Sequence, residues 1–392
     1  MHRSVDEHEQ HVRSLLSLPA RSERVPLVDA LGRVTASAVL SPADLPLFRN
    51  SQMDGFAVHA EDVATIPATL PIVGEVAARA AAPAPLAPGT AVRIMTGAVV
   101  PDGATAVIPV EDTTVSGTDV TIGRSRSAGE YVRDRGSDVS AGDQLLPEGR
   151  LLDSRHLAVL AAAGIAEVEV RAKVRVAVIT TGAELVSPGD PVAPGQVYDA
   201  NSIALVGAAR AAGAAVTLAT RVIDELAVLL SALGEAVTHA DLILTSGGIS
   251  KGDYEVVREL LEPRGAQVEH LAMQPGGPQA TAVFDGVPVI CFPGNPVSTQ
   301  LSFEVFVAPV LREHAGLPAK RRWEAPLSEP LTSANGKRQF LRGQVETDGA
   351  VRVSSGAGSH LVAGLAAADV LLVIPEQVTQ LTAGETVEVW EL

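Results

Sequence analysis

Buried apolar segments that alternate with helical segments constrain the fold of this chain more than any other feature. Residues 173–180 (KVRVAVIT), 241–246 (DLILTS) and 287–292 (VPVICF) are short and rich in Val, Ile and Leu, as strands covered on both faces are. Helical segments of roughly 10 to 15 residues separate such strands, which predicts a doubly wound, mainly parallel α/β sheet. The dipeptide Asp285-Gly286 predicts a hairpin turn before the last of these strands.

The segments outside this sheet have different patterns of apolar and turn-forming residues. Residues 5–18 predict a helix that Pro19 ends, followed by a polar stretch and a second helix within the first forty residues. Short apolar runs separated by Gly and Pro at residues 57–150 predict a small β-rich domain. Residues 320–392 return to short strands and predict a small β-barrel or β-sandwich. Two helix starts have alternative capping residues, which are Asp153 or Ser154 for one helix and Asn201 or Ser202 for another.

Charge and composition exclude several classes of protein. The formal net charge is −16, and such an acidic surface repels a polyphosphate backbone, so we predict no general nucleic-acid binding. No apolar run reaches the roughly 18 residues of a membrane helix, and no signal peptide is visible, so we expect a soluble, cytoplasmic protein without membrane contact. Cys291 is the only cysteine, which excludes an internal disulfide framework.

Two loops at predicted strand ends have the chemistry of phosphate-binding turns. The sequence TSGGIS follows a buried strand, and its two glycines permit positive φ and an anion-binding backbone nest, although taken alone they favour a plain strand-to-helix turn. In PGNPVS, Asn295 stands at an N-cap position and Pro296 at the first helical position, so free amides can hold phosphate, although good capping alone explains the pattern too. Two such turns at one sheet edge together favour a phosphate site.

Three carboxylates follow successive strands of the same predicted edge. They are Glu184, Asp224 and Asp253. Each of these carboxylates alone is typical of a solvated loop. Together they would repel a phosphate unless a bound cation neutralised their charge. Because Mg²⁺ is commonly held by one or two carboxylates together with substrate phosphates, we predict a phosphate-plus-Mg²⁺ site.

Seven segments in order give the chain a specific resemblance over about residues 5 to 390. They are NSQMDGFAV, RIMTGAVVPDGATAVIPVED, VRDRGSDVSAGDQLLPEG, ITTGAEL, GQVYDANS, TSGGISKGDY and PGNPVS. In this order they resemble the molybdopterin molybdenumtransferase family, which includes the C-terminal domain of gephyrin. The resemblance implies a homodimer, in which the N-terminal segment of one subunit completes the cleft of the other. It also implies a reaction in which adenylylated molybdopterin and molybdate are substrates, AMP is released and Mg²⁺ assists.

The resemblance further implies four structural parts. Residues 1–50 with 140–170 would form an elongated linking and dimerisation domain, 51–139 a small β-rich domain, 171–316 the α/β molybdopterin-binding domain, and 317–392 a C-terminal β-barrel. No fused adenylylating domain is visible, so a separate molybdopterin adenylyltransferase is a possible partner.

The residues that match the family motifs become candidate site residues. The catalytic candidates are Asp54, Thr96, Glu184, Asp224 and Asp253, of which the last three would hold Mg²⁺. We place Asp54 near the reacting end, supplied by the partner subunit. The candidates for binding substrate are Arg135, Asp138, Ser246, Gly247, Gly248, Ser250, Lys251, Pro293, Gly294, Asn295, Pro296, Ser298, Arg342 and Ser359.

One loop departs from the family pattern. Where relatives often have K-P-G-K-P, this chain has Gln274-Pro275-Gly276-Gly277-Pro278, so both lysine positions are neutral. Lys251, or secondly Arg221, could supply the missing charge. The loss could instead mark a weakened paralogue that binds the pterin or acts as a scaffold, and a Mg²⁺-dependent hydrolase of another nucleotide is a third reading. Release of AMP separates these readings.

Overall fold

A computed structural model describes residues 3–79, 81–249 and 255–392. Its contacts divide the chain into two compact units. The first unit contains the residues up to Glu23 together with Arg171–Leu392, and the second contains Arg24–Val170. The finer division into four domains stays a prediction.

The α-helices are α1 Val5–Leu15, α2 Ser154–Ala162, α3 Ala200–Ala211, α4 Leu226–His239, α5 Val256–Leu261, α6 Pro296–Ser302, α7 Ala308–Ala315 and α8 Val362–Ala366. Side-chain caps satisfy the first amides of three of the α-helices listed here, namely α1, α2 and α3. Asp153 caps α2, one of the two residues that the sequence allows. The cap of α3 is Asp199, whose carboxylate accepts from the Ser202 amide at 3.0 Å, so the prediction of Asn201 or Ser202 was wrong by two residues or more.

The second unit is built mainly from short strands, of which the first and the last cross its boundaries. They are β1 Ser22–Pro26, β2 Val39–Leu40, β3 Asn50–Ser51, β4 Gly55–Val58, β5 Ala68–Val76, β6 Ala91–Ile94, β7 Ala106–Pro109, β8 Thr113–Ser116, β9 Asp119–Ile122, β10 Val132–Arg133, β11 Gln144–Leu146 and β12 Glu167–Arg171. The central sheet has the order β7-β4-β6-β5-β9-β8, around a core that contains Phe56 and Ile108. The predicted second helix within the first forty residues was wrong, because β1 and a single 3-10 turn, Leu27–Asp29, occupy that region.

The first unit holds the remaining strands. They are β13 Arg175–Thr181, β14 Leu185–Val186, β15 Val197–Tyr198, β16 Ala215–Val222, β17 Leu242–Ser246, β18 Gln267–His270, β19 Met273–Gln274, β20 Pro278–Phe284, β21 Val287–Phe292, β22 Arg322–Pro326, β23 Leu331–Thr332, β24 Arg338–Val345, β25 Val351–Val353, β26 Val370–Ile374, β27 Gln380–Leu381 and β28 Thr386–Glu391.

The predicted α/β sheet is confirmed, with the order β16-β13-β17-β21-β20-β18. The first four of these strands are parallel, and β20 and β18 are antiparallel to their neighbours. Apolar cores cover both faces, which explains the continuous apolar runs 176–179 in β13 and 242–244 in β17. The predicted turn of the β20–β21 hairpin is present, with Asp285 and Gly286 both at positive φ. The carboxyl ends of the parallel strands therefore share one edge.

The predicted helix over residues 296–315 is interrupted. A π-helical segment, Phe303–Val307, separates α6 from α7. Pro309 has no amide hydrogen, so it cannot donate to the carbonyl of Val305 in a regular helix, and a local change of helical type accommodates this loss. Helix α1 packs on the same region through Val5 and Val12.

The C-terminal strands form a sheet of order β19-β24-β26-β28-β22, with β25 paired to β24. An isolated bridge joins Leu327, which follows β22, to Val351 at the start of β25. A closed β-barrel stays a prediction. Within the described residues, every helix falls short of the length and apolar character that crossing a membrane requires.

Candidate functional site

A cavity of about 1020 Å³ opens at the carboxyl ends of the parallel strands. This is the edge where ligands bind in open α/β sheets. Loops after β13, β16, β17 and β21 line it, together with residues 357–360 and Lys337 from the C-terminal part of the same unit. The predicted site residues that line it are Glu184, Asp224, Ser246, Gly247, Gly248, Pro293, Gly294, Asn295, Pro296, Ser298 and Ser359.

The two glycines after β17 adopt the conformation that the sequence predicts. Gly247 has φ +96° and Gly248 has φ +67°. A Cβ atom on Gly247 would lie 2.7 Å from the carbonyl oxygen of Thr181, so the backbone passes too close to β13 for any side chain. The Gly247 amide donates to the Phe292 carbonyl at 3.1 Å, so the Gly248 amide is the donor that this turn can offer to an anion at the cavity wall.

Asn201 joins the two turns, whereas its place in the sequence predicts only a helix cap. Its Nδ2 donates to Ser246 Oγ at 2.9 Å and to the Gly294 carbonyl at 2.7 Å, and the side chain is buried. Thr299 Oγ1 lies 3.1 Å from Ser246 Oγ and also donates to the Pro293 carbonyl. This network fixes the Gly-Gly turn against the Pro-Gly-Asn-Pro turn.

The turn before α6 keeps part of its predicted role. Asn295 is the N-cap and Pro296 the first helical residue, but the Asn295 side chain makes no capping hydrogen bond. The amide of Val297 donates to the Ser359 carbonyl at 3.2 Å, so one amide that we expected to face a ligand is already occupied. That bond places Ser359 beside the nearly buried Ser298 at the cavity wall.

The acidic edge of the cavity is formed by Glu184 and Asp224, which lie on the loops after β13 and β16. Asp224 accepts from the Ala183 amide at 3.1 Å, which holds the loop after β16 against the loop after β13. The carboxylate oxygens of Glu184 lie over Gly182, 2.8 and 2.9 Å from where a Cβ atom would stand. Asp253, Ser250 and Lys251 fall outside the described residues. Within residues 3–79, 81–249 and 255–392, no three acidic, His or Cys side chains cluster as a ready-made metal site.

The neutral loop at residues 274–278 lines the same cavity. Gln274 Oε1 accepts from Gln339 Nε2 at 2.7 Å, which ties this loop to β24. The imidazole of His270 lies over Gly277, with Nε2 2.9 Å from where a Cβ atom would stand. Arg221, which we considered as a compensating charge, is exposed and is not among the residues that line the cavity.

Arg342 is completely buried beneath the loop that carries Ser359. Its Nε donates to Ser355 Oγ at 2.9 Å, and its Nη2 donates to the carbonyls of Gly356 and Gly358. Burial lowers the pKa of this guanidinium below its ordinary value. Arg342 does not line the cavity, so any part in substrate binding stays a prediction, whereas its hold on the loop is direct.

Asp54, Thr96, Arg135 and Asp138 belong to the second unit. Asp54 Oδ1 accepts from the Thr96 amide at 2.7 Å and from the Thr96 hydroxyl at 2.8 Å. Arg135 Nε donates to Asp44 at 2.6 Å, a partner that the sequence did not indicate. The two motif residues Asp54 and Thr96, 42 positions apart in the chain, are thus in direct contact.

Replacing Thr96 with valine should raise the pKa of Asp54 part of the way to its ordinary value. The Thr96 amide and then the Thr96 hydroxyl hold this pKa low, and valine removes only the hydroxyl. Because the folded pKa is depressed, the associated stability is present above the unfolded pKa and is lost as pH falls through the folded value. A carboxyl NMR titration of Asp54 measures the shift. The control Thr114→Val, on exposed strand β8, should leave the titration unchanged, and an unchanged titration in Thr96→Val would contradict the assignment.

Comparison with family sequence profiles finds three matches in order along the chain. Residues 3–164 match the MoeA N-terminal region (domain I and II). Residues 177–313 match a probable molybdopterin binding domain, and residues 324–392 match the MoeA C-terminal region (domain IV). Each of the described loops around the cavity falls within one of these matches.

Whole-chain relatives agree with the profiles. Molybdopterin molybdenumtransferase 2 of Mycobacterium tuberculosis is 43% identical, and the alignment covers 100% of both chains. Molybdopterin molybdenumtransferase of a Nostoc species is 36% identical over 95% of this chain and 89% of the relative. The crystal structure of a molybdopterin biosynthesis moea protein from Pyrococcus horikosii has a TM-score of 0.82 at 33% identity, covering 100% of this chain and 99% of the other.

Proposed function

This chain belongs to the molybdopterin molybdenumtransferase family, and we propose that its strand-end cavity binds adenylylated molybdopterin and transfers molybdate to it with release of AMP. The observation that carries this proposal is the pairing of two phosphate-capable turns at one cavity edge. Asn201 holds the Gly247-Gly248 turn and the Pro293–Ser298 turn together, and both face the cavity.

Cleavage of the pyrophosphate bond places new negative charge on the phosphate that leaves. Fixed backbone dipoles stabilise such charge without having to reorganise during the reaction. The amide of Gly248 and the hydroxyl of Ser298 would hold phosphate oxygens, because both residues line the cavity. Their positions are set by packing and hydrogen bonds, so the site is organised before substrate arrives.

The donor set at the acidic edge fits Mg²⁺. Glu184 and Asp224 supply carboxylate oxygens at the cavity, and Mg²⁺ is typically bound by one or two carboxylates plus substrate phosphates. When bound there, Mg²⁺ would neutralise charge on the pyrophosphate. The Ala183 amide donates to the Asp224 carboxylate, which holds that carboxylate at this edge.

Three further elements of the proposal rest on the family resemblance. We propose that the chain is a homodimer in which Asp54 of the partner subunit completes the cleft and orients molybdate or water. We also propose that a separate molybdopterin adenylyltransferase supplies the pterin nucleotide. The C-terminal sheet, whose ends are joined by the bridge between Leu327 and Val351, would be the family's β-barrel domain.

The purified protein should release AMP when it is mixed with adenylylated molybdopterin, Mg²⁺ and molybdate. Chromatographic quantification of AMP over time measures the reaction, and omission of molybdate is the control. A protein that binds adenylylated molybdopterin without AMP release, under conditions where a known family member turns over, would instead be a pterin-binding scaffold. The neutral residues Gln274 and Gly277 are the observation that favours this second candidate.

A further inference from the structure

The charges around the cavity are unbalanced. Among the described residues, four carboxylates line it, and they belong to Glu184, Asp199, Asp224 and Glu255. Asp199 is buried and occupied, since it accepts from Thr180 Oγ1 at 2.7 Å and caps α3. The proposed substrates are oxyanions, and an acidic wall repels them unless cations lie nearby. The cavity must therefore contain a region that attracts anions.

Among the described residues that line the cavity, Lys337 is the one side chain with a permanent positive charge. It precedes Arg338, whose guanidinium contacts Asp6 at 2.5 Å and Glu376 at 3.3 Å. Lys337 itself is exposed and makes no ion pair within the described part of the chain. Of these two adjacent cations, one is neutralised within the fold, and the other lines the cavity without an ion pair to any residue that the structure describes.

Strand pairing brings Lys337 toward the neutral loop. In the parallel pair of β19 and β24, Met273 is opposite Arg338, and the Arg338 amide donates to the Ala272 carbonyl at 2.8 Å. Lys337 is therefore level with Ala272, two residues from His270. The His270 ring in turn lies over Gly277, where a larger side chain would collide with it. Lys337 and His270 thus lie on the same side of the cavity, next to the two neutral positions of the loop.

We propose that Lys337 and His270 form the oxyanion-binding wall of this cavity, in place of positive charge from residues 274–278. This inference rests on the proposed function, because it assigns a region of the same site. Lys337 acts as a point charge, and His270 donates an N–H from a ring that Gly277 leaves room for. The ligand is a tetrahedral oxyanion, either free molybdate or the phosphate of the pterin nucleotide.

Equilibrium titrations of the full chain with molybdate alone, and separately with AMP, test the wall. Lys337→Gln should weaken binding of at least one of these anions about tenfold, which is the typical worth of one charge-assisted contact. Adding His270→Gln to Lys337→Gln should weaken binding of the same anion further. Lys337→Arg should retain most of the affinity. A loss of affinity for molybdate identifies the metal oxyanion as the ligand, and a loss of affinity for AMP identifies the nucleotide phosphate.

The matched control is Lys173→Gln, which removes the same charge from an exposed lysine just before β13, at the opposite end of that strand from the cavity. Equal affinities for both anions in Lys337→Gln and the unmodified protein would overturn the inference, and so would an equal loss in Lys173→Gln. These titrations need no turnover. Failure of the proposed function would show separately, as absence of AMP release by the unmodified protein.

Discussion

Glu184→Gln is expected to slow release of AMP from adenylylated molybdopterin about a hundredfold while the fold stays intact. Glutamine keeps the size of the side chain, and so its contact with Gly182, but it removes the charge at the acidic edge. The pyrophosphate would then lose part of the site that neutralises it. Single-turnover AMP release at saturating substrate measures the effect, and circular dichroism checks the fold.

Asp224→Asn should behave in the same way, because the amide oxygen can still accept from Ala183 while the charge is lost. Glu225→Gln is the matched control. Glu225 is exposed, adjoins Asp224, makes no capping hydrogen bond at the start of α4 and does not line the cavity. If the rates of all three variants equal that of the unmodified protein, Glu184 and Asp224 are solvated loop charges and the proposed Mg²⁺ site is wrong.

A Mg²⁺ titration separates loss of the cation from loss of catalysis. Glu184→Gln should require a higher Mg²⁺ concentration for half-maximal AMP release, because one ligand of the proposed site is gone. A variant that responds to Mg²⁺ as the unmodified protein does, yet remains slow, would place Glu184 at the reacting atoms rather than at the cation.

The parts of the site that follow local rules could be predicted from the sequence. Gly247 and Gly248 have positive φ, and Pro296 opens a helix, because these preferences depend on the residue and its immediate neighbours. The parallel sheet followed from apolar segments alternating with helices, since strands buried on both faces need such composition. The carboxyl ends of these strands then indicated the edge of the sheet at which the cavity opens.

The parts that depend on distant contacts could not be predicted. Asn201 is 45 positions from Ser246 and 93 from Gly294, and nothing near Asn201 in the sequence indicates either partner. Likewise, the pairing of β19 with β24 brings Lys337 to a cavity built mostly from residues 181–298. The cap of α3 was mispredicted for a local reason, because Asp, Asn and Ser are nearly equal as N-caps and all three occur at 199–202.

The close approach of Gly247 to the Thr181 backbone predicts a second large effect, which is a loss of stability when Gly247 is replaced. Gly247→Ala should reduce the free energy of unfolding by about 3 kcal/mol, which combines the cost of positive φ for alanine with a collision against Thr181. The new Cβ would lie 2.7 Å from the Thr181 carbonyl oxygen and 2.8 Å from its hydroxyl, and a backbone carbonyl within a sheet cannot move aside cheaply. The midpoint of thermal unfolding should fall by roughly 4 °C for a chain of this length.

Gly265→Ala isolates the backbone part of this cost. Gly265 has φ +91°, close to the +96° of Gly247, but a Cβ atom there would meet nothing within 4 Å. Gly265→Ala should therefore reduce the free energy of unfolding by only about 1 kcal/mol and leave AMP release unchanged. Gly247→Ala should also release AMP more slowly, because relieving the collision must displace the turn that Asn201 holds against Gly294. Equal losses of stability in the two variants would show that the turn can shift away from β13, and the Gly248 amide would then not be fixed in place for phosphate.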